Sequence, residues 1–158
     1  MTRRRRSGFS MVELFVVLTI IGLLVRVAMP RYSYVRKQAQ ARAAIADVRV
    51  IRDAVLNYHQ DRGGWPSEAG AGQTPSGLAT YLPAGFDFNR GAYVVDFEAW
   101  PPAGPTAAVA NGAVIGVAID TADPDLAVEM RKIGASGIPY FTSGNKTTFL
   151  LDGLTGVS

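Results

Sequence analysis

The sequence has no cysteine and a single histidine, His59, in 158 residues. The first absence excludes a disulfide framework, thiolate metal sites and cysteine nucleophiles, and the second excludes multi-histidine metal sites. Charge is also scarce, at 18% of residues against 48% hydrophobic. That balance supplies enough apolar side chain for a real core and argues against disorder. The length suits one domain with residues left for an appendage. No Ser or Cys elbow accompanies His59, which reads as a surface or capping side chain, so no catalytic residue is assigned. The glycines beyond residue 90 follow no phosphate-binding pattern, and no cofactor is implied.

The formal charge of +3 is unevenly spread. Residues 1–62 carry 12 basic and 4 acidic side chains, whereas residues 63–158 carry 4 and 9. A third of the N-terminal basic groups form the run Arg3 to Arg6. The acidic C-terminal part argues against nucleic acid as a partner.

Behind the basic run lies FSMVELFVVLTIIGLLVRVAMP, residues 9–30. Its apolar stretch from Leu14 to Val25 is 12 residues, short for a membrane span. Counted from Phe9 to Met29 it has 21 residues, about 30 Å of helix at ~1.5 Å each, which matches a bilayer core. Arg26 lies near the edge of such a span and can snorkel outward. Glu13 lies a turn inside, where a carboxylate costs about 2.5–3.5 kcal/mol on insertion scales. An ordinary secretory signal fits poorly, because Arg26 occupies the upstream position of the small-x-small site at Ala28 and Glu13 interrupts the apolar region. The residues around the Arg pairs do not suit twin-arginine export. A plain signal anchor explains insertion, with Arg3 to Arg6 held in the cytoplasm, but leaves Glu13 without a role.

The segment Gly8-Phe9-Ser10-Met11-Val12-Glu13-Leu14, with the apolar run, Pro30, Arg31 and Tyr32 behind it, resembles the class III signal of type IV pilins and type II secretion pseudopilins. The resemblance covers about 25 residues and implies a leader of residues 1–8. It implies a cut by prepilin peptidase between Gly8 and Phe9, and methylation of the new Phe9 amine. Glu13 would then pair with the N-terminal ammonium of a neighbouring subunit. Such pairing is physically sensible, since a carboxylate in an apolar setting is stabilised when a cation is brought to it. Arg26 departs from the family's apolar pattern.

Beyond Pro30, which should kink the helix or interrupt its ladder, Ala41, Ala44, Ile45, Val48, Ile51, Val55 and Tyr58 recur at three- and four-residue spacing. One helix from about residue 9 to 60 is therefore expected, apolar in its first half and amphipathic in its second. Gly63 and Gly64 should cap it, and Pro66 forbids its continuation. The run Tyr58 to Pro66 is also similar to the segment that follows the long helix in many pseudopilins. Residues 67–85 read as a loop with a helical turn near Leu78 to Tyr81. Strands are expected at Ala92 to Phe97, Ala113 to Ile119 and Thr147 to Leu151. The turn signal Asn111-Gly112 suggests a further hairpin strand at Thr106 to Val109. A short helix should run from Asp123-Pro124 to Ile133 and stop at Gly134. Asp120, Asp123, Asp125 and Glu129 fit no EF-hand spacing, and capping accounts for Asp123, so no metal site is assigned.

The expected fold is α+β and pilin-like, a long N-terminal helix packed on a small antiparallel sheet. Its parts are a leader (1–8), a transmembrane and assembly helix (9–30), an amphipathic continuation (31–62) and an exported globular head (63–158). The expected function is that of a structural subunit, a pseudopilin or minor pilin, of a type II secretion pseudopilus or type IV filament. Its partners would be prepilin peptidase, other pilin-like subunits and the bacterial inner membrane, crossed once with the N-terminus cytoplasmic. The alternative is a single-span accessory or anchor subunit of a larger membrane complex that keeps its leader.

Overall fold

The structure, a computed structural model, describes residues 9–100, 114–134 and 137–151. The chain divides into two compact units, one ending at Arg36 and the other beginning at Lys37. A single helix, α1 (Met11–Arg62), belongs to both. It continues through Pro30, which removes one backbone donor. Nearby, the Ser33 hydroxyl donates to the Pro30 carbonyl at 2.9 Å.

From Lys37 onward α1 is amphipathic as the spacing predicts. Ala41, Ala44, Ile45, Val48, Ile51, Ala54 and Val55 are buried, and Tyr58 packs at the edge of the same cluster. The helix ends where the glycines stand. Gly63, at φ 69°, donates its N–H to the His59 carbonyl at 2.8 Å, a left-handed cap that a side chain would strain. His59 stacks on Trp65 with ring centroids 3.7 Å apart, and its Nδ1 lies 3.2 Å from the Gly64 carbonyl oxygen. This agrees with its reading as a capping side chain.

After a 3-10 turn (Leu78–Thr80), four antiparallel strands form one sheet: β1 (Val94–Trp100), β2 (Val114–Asp120), β3 (Tyr140–Ser143) and β4 (Lys146–Leu150), in the order β1-β2-β4-β3. β1 starts and ends later than Ala92 to Phe97, because pairing with β2 carries it on to Trp100. β2 and β4 lie within a residue of expectation at each end. Thr106 to Val109 and the Asn111-Gly112 turn fall outside the described residues. β3 was not expected from the sequence. It is joined to β4 by Gly144 and Asn145, with Gly144 at φ 60° in the first loop position, the placement a type II′ hairpin uses.

Helix α2 (Pro124–Gly134) matches its expected limits to within a residue. The Asp123 carboxylate accepts from the N–H groups of Asp125 at 3.0 Å and Leu126 at 3.3 Å, the N-cap bonds anticipated for it. Leu126 and Met130 bury the apolar face of α2 into the cluster that holds Ile45, Val48, Phe97, Val117 and Phe149. The fold is thus the expected one, a long helix packed through its second half on a small antiparallel sheet.

Candidate assembly interface

Among the described residues of the first unit no side chain is buried. Ser10 starts the helix: its hydroxyl accepts from the Val12 N–H at 3.3 Å and its carbonyl from the Leu14 N–H at 3.1 Å. Every described residue from Phe9 to Arg36 is exposed, and Phe9, Phe15 and Met29 expose 76%, 72% and 68% of their surface. A stable helix in water hides one apolar stripe, whereas this one shows Val, Leu and Ile on all sides. It is long and apolar enough to cross a membrane. Lipid or other protein has to cover it, because an exposed apolar surface of this extent marks an interaction site.

Glu13 is the acidic residue of the first turn, where the positive end of the helix dipole favours a carboxylate. Its side chain makes no hydrogen bond or ion pair among the described residues. Phe9 precedes the helix and is exposed, whereas Gly8 and the leader of residues 1–8 lie outside the described residues. Pro30 lies well inside α1. Ser10 was missed by the sequence reading, although Ser10-x-x-Glu13 is a helix-start pattern that could have found it.

In the second unit three polar clusters tie distant parts of the chain together. Lys37 donates to Asp123 Oδ1 at 3.1 Å and Asp125 Oδ2 at 2.6 Å, joining α1 to the cap of α2. The bonds to Asp125 and Asp123 raise the Lys37 pKa, and Lys37 in turn lowers that of Asp123. Two of the four carboxylates considered for a metal are therefore occupied by an ammonium. A third, Glu129, pairs with Lys132 at 2.7 Å. In a second cluster, Asp47 accepts two bonds from the Arg90 guanidinium, each 2.9 Å, and one from the Tyr93 hydroxyl at 2.7 Å. Burial, then that bond to a carboxylate, pushes the Tyr93 hydroxyl well above the usual tyrosine range. Lys146 donates to Glu98 at 2.7 Å and Asp96 at 2.9 Å, and both bonds raise its pKa. Apart from the local Glu129–Lys132 pair, none of these pairings was anticipated, since their partners lie 43 to 88 residues apart in the chain.

No family model and no solved structure matches the chain significantly. Three curated proteins illustrate its similarities. The type IV major pilin protein PilE1 of Neisseria gonorrhoeae is 34% identical over 96 residues, which is 59% of this chain and 52% of the pilin. A fimbrial protein of Neisseria meningitidis serogroup B is 35% identical over 75 residues, 48% of this chain and 42% of that protein. The type II secretion system core protein G of Aeromonas hydrophila is 26% identical over 94 residues, 60% of this chain and 66% of that protein. The chain spans about half the length of the pilins it matches. These similarities bear out the resemblance to type IV pilins and type II secretion pseudopilins read from the N-terminal residues.

Proposed function

We propose that the chain is a structural subunit of a pilin-like filament, a type II secretion pseudopilus or a type IV pilus, held in the inner membrane and assembled through the first half of α1. The observation that carries this reading is the exposed apolar helix Met11 to Arg36 with one carboxylate near its start. The similarity to pilins and to a secretion core protein supports it. In this reading Arg3 to Arg6 keep the N-terminus cytoplasmic and the head is exported. Prepilin peptidase hydrolyses the Gly8–Phe9 bond, releasing residues 1–8 and leaving an ammonium on Phe9, which is then methylated. Each Glu13 pairs with the Phe9 ammonium of a neighbouring subunit. The pair offsets the cost of holding the carboxylate in an apolar setting and sets the register between helices.

The test is the mass of the N-terminus from cells. A chain beginning at methylated Phe9 is the expected result, and an intact Met1 overturns the processing step. Glu13→Ala should leave the protein in the membrane while filament yield falls at least tenfold. One observation favours the alternative, an anchor that keeps its leader: next to the Ser10 cap, Glu13 already has a local role in the helix dipole. On that reading Met1 is retained, and Glu13→Ala weakens only the first turn, by about 0.3–1 kcal/mol, without touching assembly.

A further inference from the structure

One face of the head's sheet packs into the core. Val95, Phe97, Val117, Ile119 and Phe149 point into the core. By alternation the opposite face carries Asp96, Glu98 and Trp100 on β1, Gly116, Ala118 and Asp120 on β2, and Lys146 and Thr148 on β4. The middle strand supplies small residues there, and its neighbours fold across it. The Trp100 ring lies over Gly116, where a Cβ would come within 2.9 Å of Trp100 Cζ3 and of Thr148 Cγ2. Lys146 crosses β2 to reach Asp96 and Glu98. Trp100 and Phe141 stand with ring centroids 5.9 Å apart. With Asp120 and Thr148 they line an open cleft of about 560 Å³.

Three carboxylates, Asp96, Glu98 and Asp120, share this region with one ammonium, that of Lys146. Asp120 is exposed and has no ion pair among the described residues. The cleft lining, Glu98 and Asp120 against Lys146, thus carries a surplus of one negative charge, backed by the buried Asp96, beside two aromatic rings, a combination that attracts a guanidinium by Coulomb and cation–π forces together. The same chain presents such groups. Arg42 and Arg49 are exposed on α1 and have no ion pair among the described residues. Seven residues apart, they share one helix face at a spacing of about 10.5 Å. Glu98 is opposite Gly116, four residues before Asp120 on β2, so the two carboxylates are separated by about 13 Å along the strand. Arginine side chains reach easily across the difference.

α1 and the cleft lie on opposite faces of the same sheet, so a copy cannot fill its own cleft with these arginines. We propose that the outer-face cleft of the head docks Arg42 and Arg49 of a second copy of this chain. The contact joins two different patches, so it is heterologous and repeats from copy to copy instead of closing as a two-fold dimer. It deepens the filament reading and rests on it.

The absence of native cysteine makes the test direct. Full-length chains carrying Ala46→Cys, between the two arginines, and Asn145→Cys, on the cleft rim, are expressed in a bacterial membrane and treated with a short bis-maleimide. A ladder of linked copies is expected. It should fall at least fivefold with Arg49→Glu or with Asp120→Lys and return when the two are combined. Both residues are exposed and have no ion pair among the described residues, so neither change removes an observed pair. Chains with Val17→Cys alone report stem-to-stem assembly. A Val17 ladder without an Ala46–Asn145 ladder overturns this contact and leaves the filament reading standing, whereas absence of both overturns the two together. An Ala46–Asn145 ladder indifferent to the charge reversals, or a link from Asn145 to a different protein, also overturns the proposal.

Discussion

Gly134 shows how one residue can serve two structural purposes. It ends α2, and a Cβ there would collide with the Phe149 ring and come 3.3 Å from Ile45 Cδ1. Phe149 is fully buried, so the ring has little room to retreat. Gly134→Ala is expected to destabilise the head by about 1–3 kcal/mol, the usual cost of overpacking a core, as measured by denaturant unfolding of the full chain in detergent. The opposite sign is expected at Thr147. Its hydroxyl is buried on β4 with no hydrogen-bond partner among the described residues. Thr147→Val keeps the shape and removes an unsatisfied group, so the same measurement should show a gain of about 1 kcal/mol. The sequence marks Gly134 as a helix stop but says nothing of Phe149, which arrives from a strand 15 positions later.

At the scale of elements, Lys37 fastens α1 to the start of α2 through Asp123 and Asp125. The folded pKa of Asp123 lies below its usual 3.8, so the unfolded chain binds the proton more tightly. This contribution is therefore present above about pH 4 and is lost as pH falls through the lower folded value. Lys37 and Lys146 shift the other way, from a usual 10.5. Their contributions are complete below about pH 10 and vanish as pH rises through the raised folded values. Unfolding midpoints measured against pH should accordingly decline at both ends, and Lys37→Met should flatten the acid limb. The helices and three of the strands were legible because period and capping are local. β3 was not: Tyr140, Phe141 and Thr142 are strand formers and Gly144-Asn145 is a turn signal, but four residues carry too little pattern to stand out without a partner strand.

For the whole molecule, the division at Lys37 is the fact with most consequence. The core cluster draws every member from residue 41 onward. A chain starting at Lys37 should fold in water without detergent and unfold cooperatively, which circular dichroism during heating would check; loss of the folded signal would show that the first unit is needed for the second. Charge follows the same division in sequence. Without residues 1–8 the chain would keep 12 basic and 13 acidic groups, so the formal +3 belongs to the leader. What is left is a basic stem and an acidic head, the asymmetry on which the contact between Arg49 and the outer-face cleft depends.

The sequence by itself determined what short-range physics controls: an apolar helix too exposed to stand alone, its amphipathic continuation, its glycine cap, a second capped helix and the main strands. It also carried the resemblance at Gly8 to Leu14 that the relatives bear out. Tertiary structure alone decided which charges meet. Lys37 finds Asp123 across 86 positions, and Lys146 finds Asp96 across 50. Strand register decided which side of the sheet holds Trp100, Gly116 and Asp120 and which holds Phe97 and Val117. A one-residue slip would exchange the two sets, and no local pattern records which pairing the completed core selects.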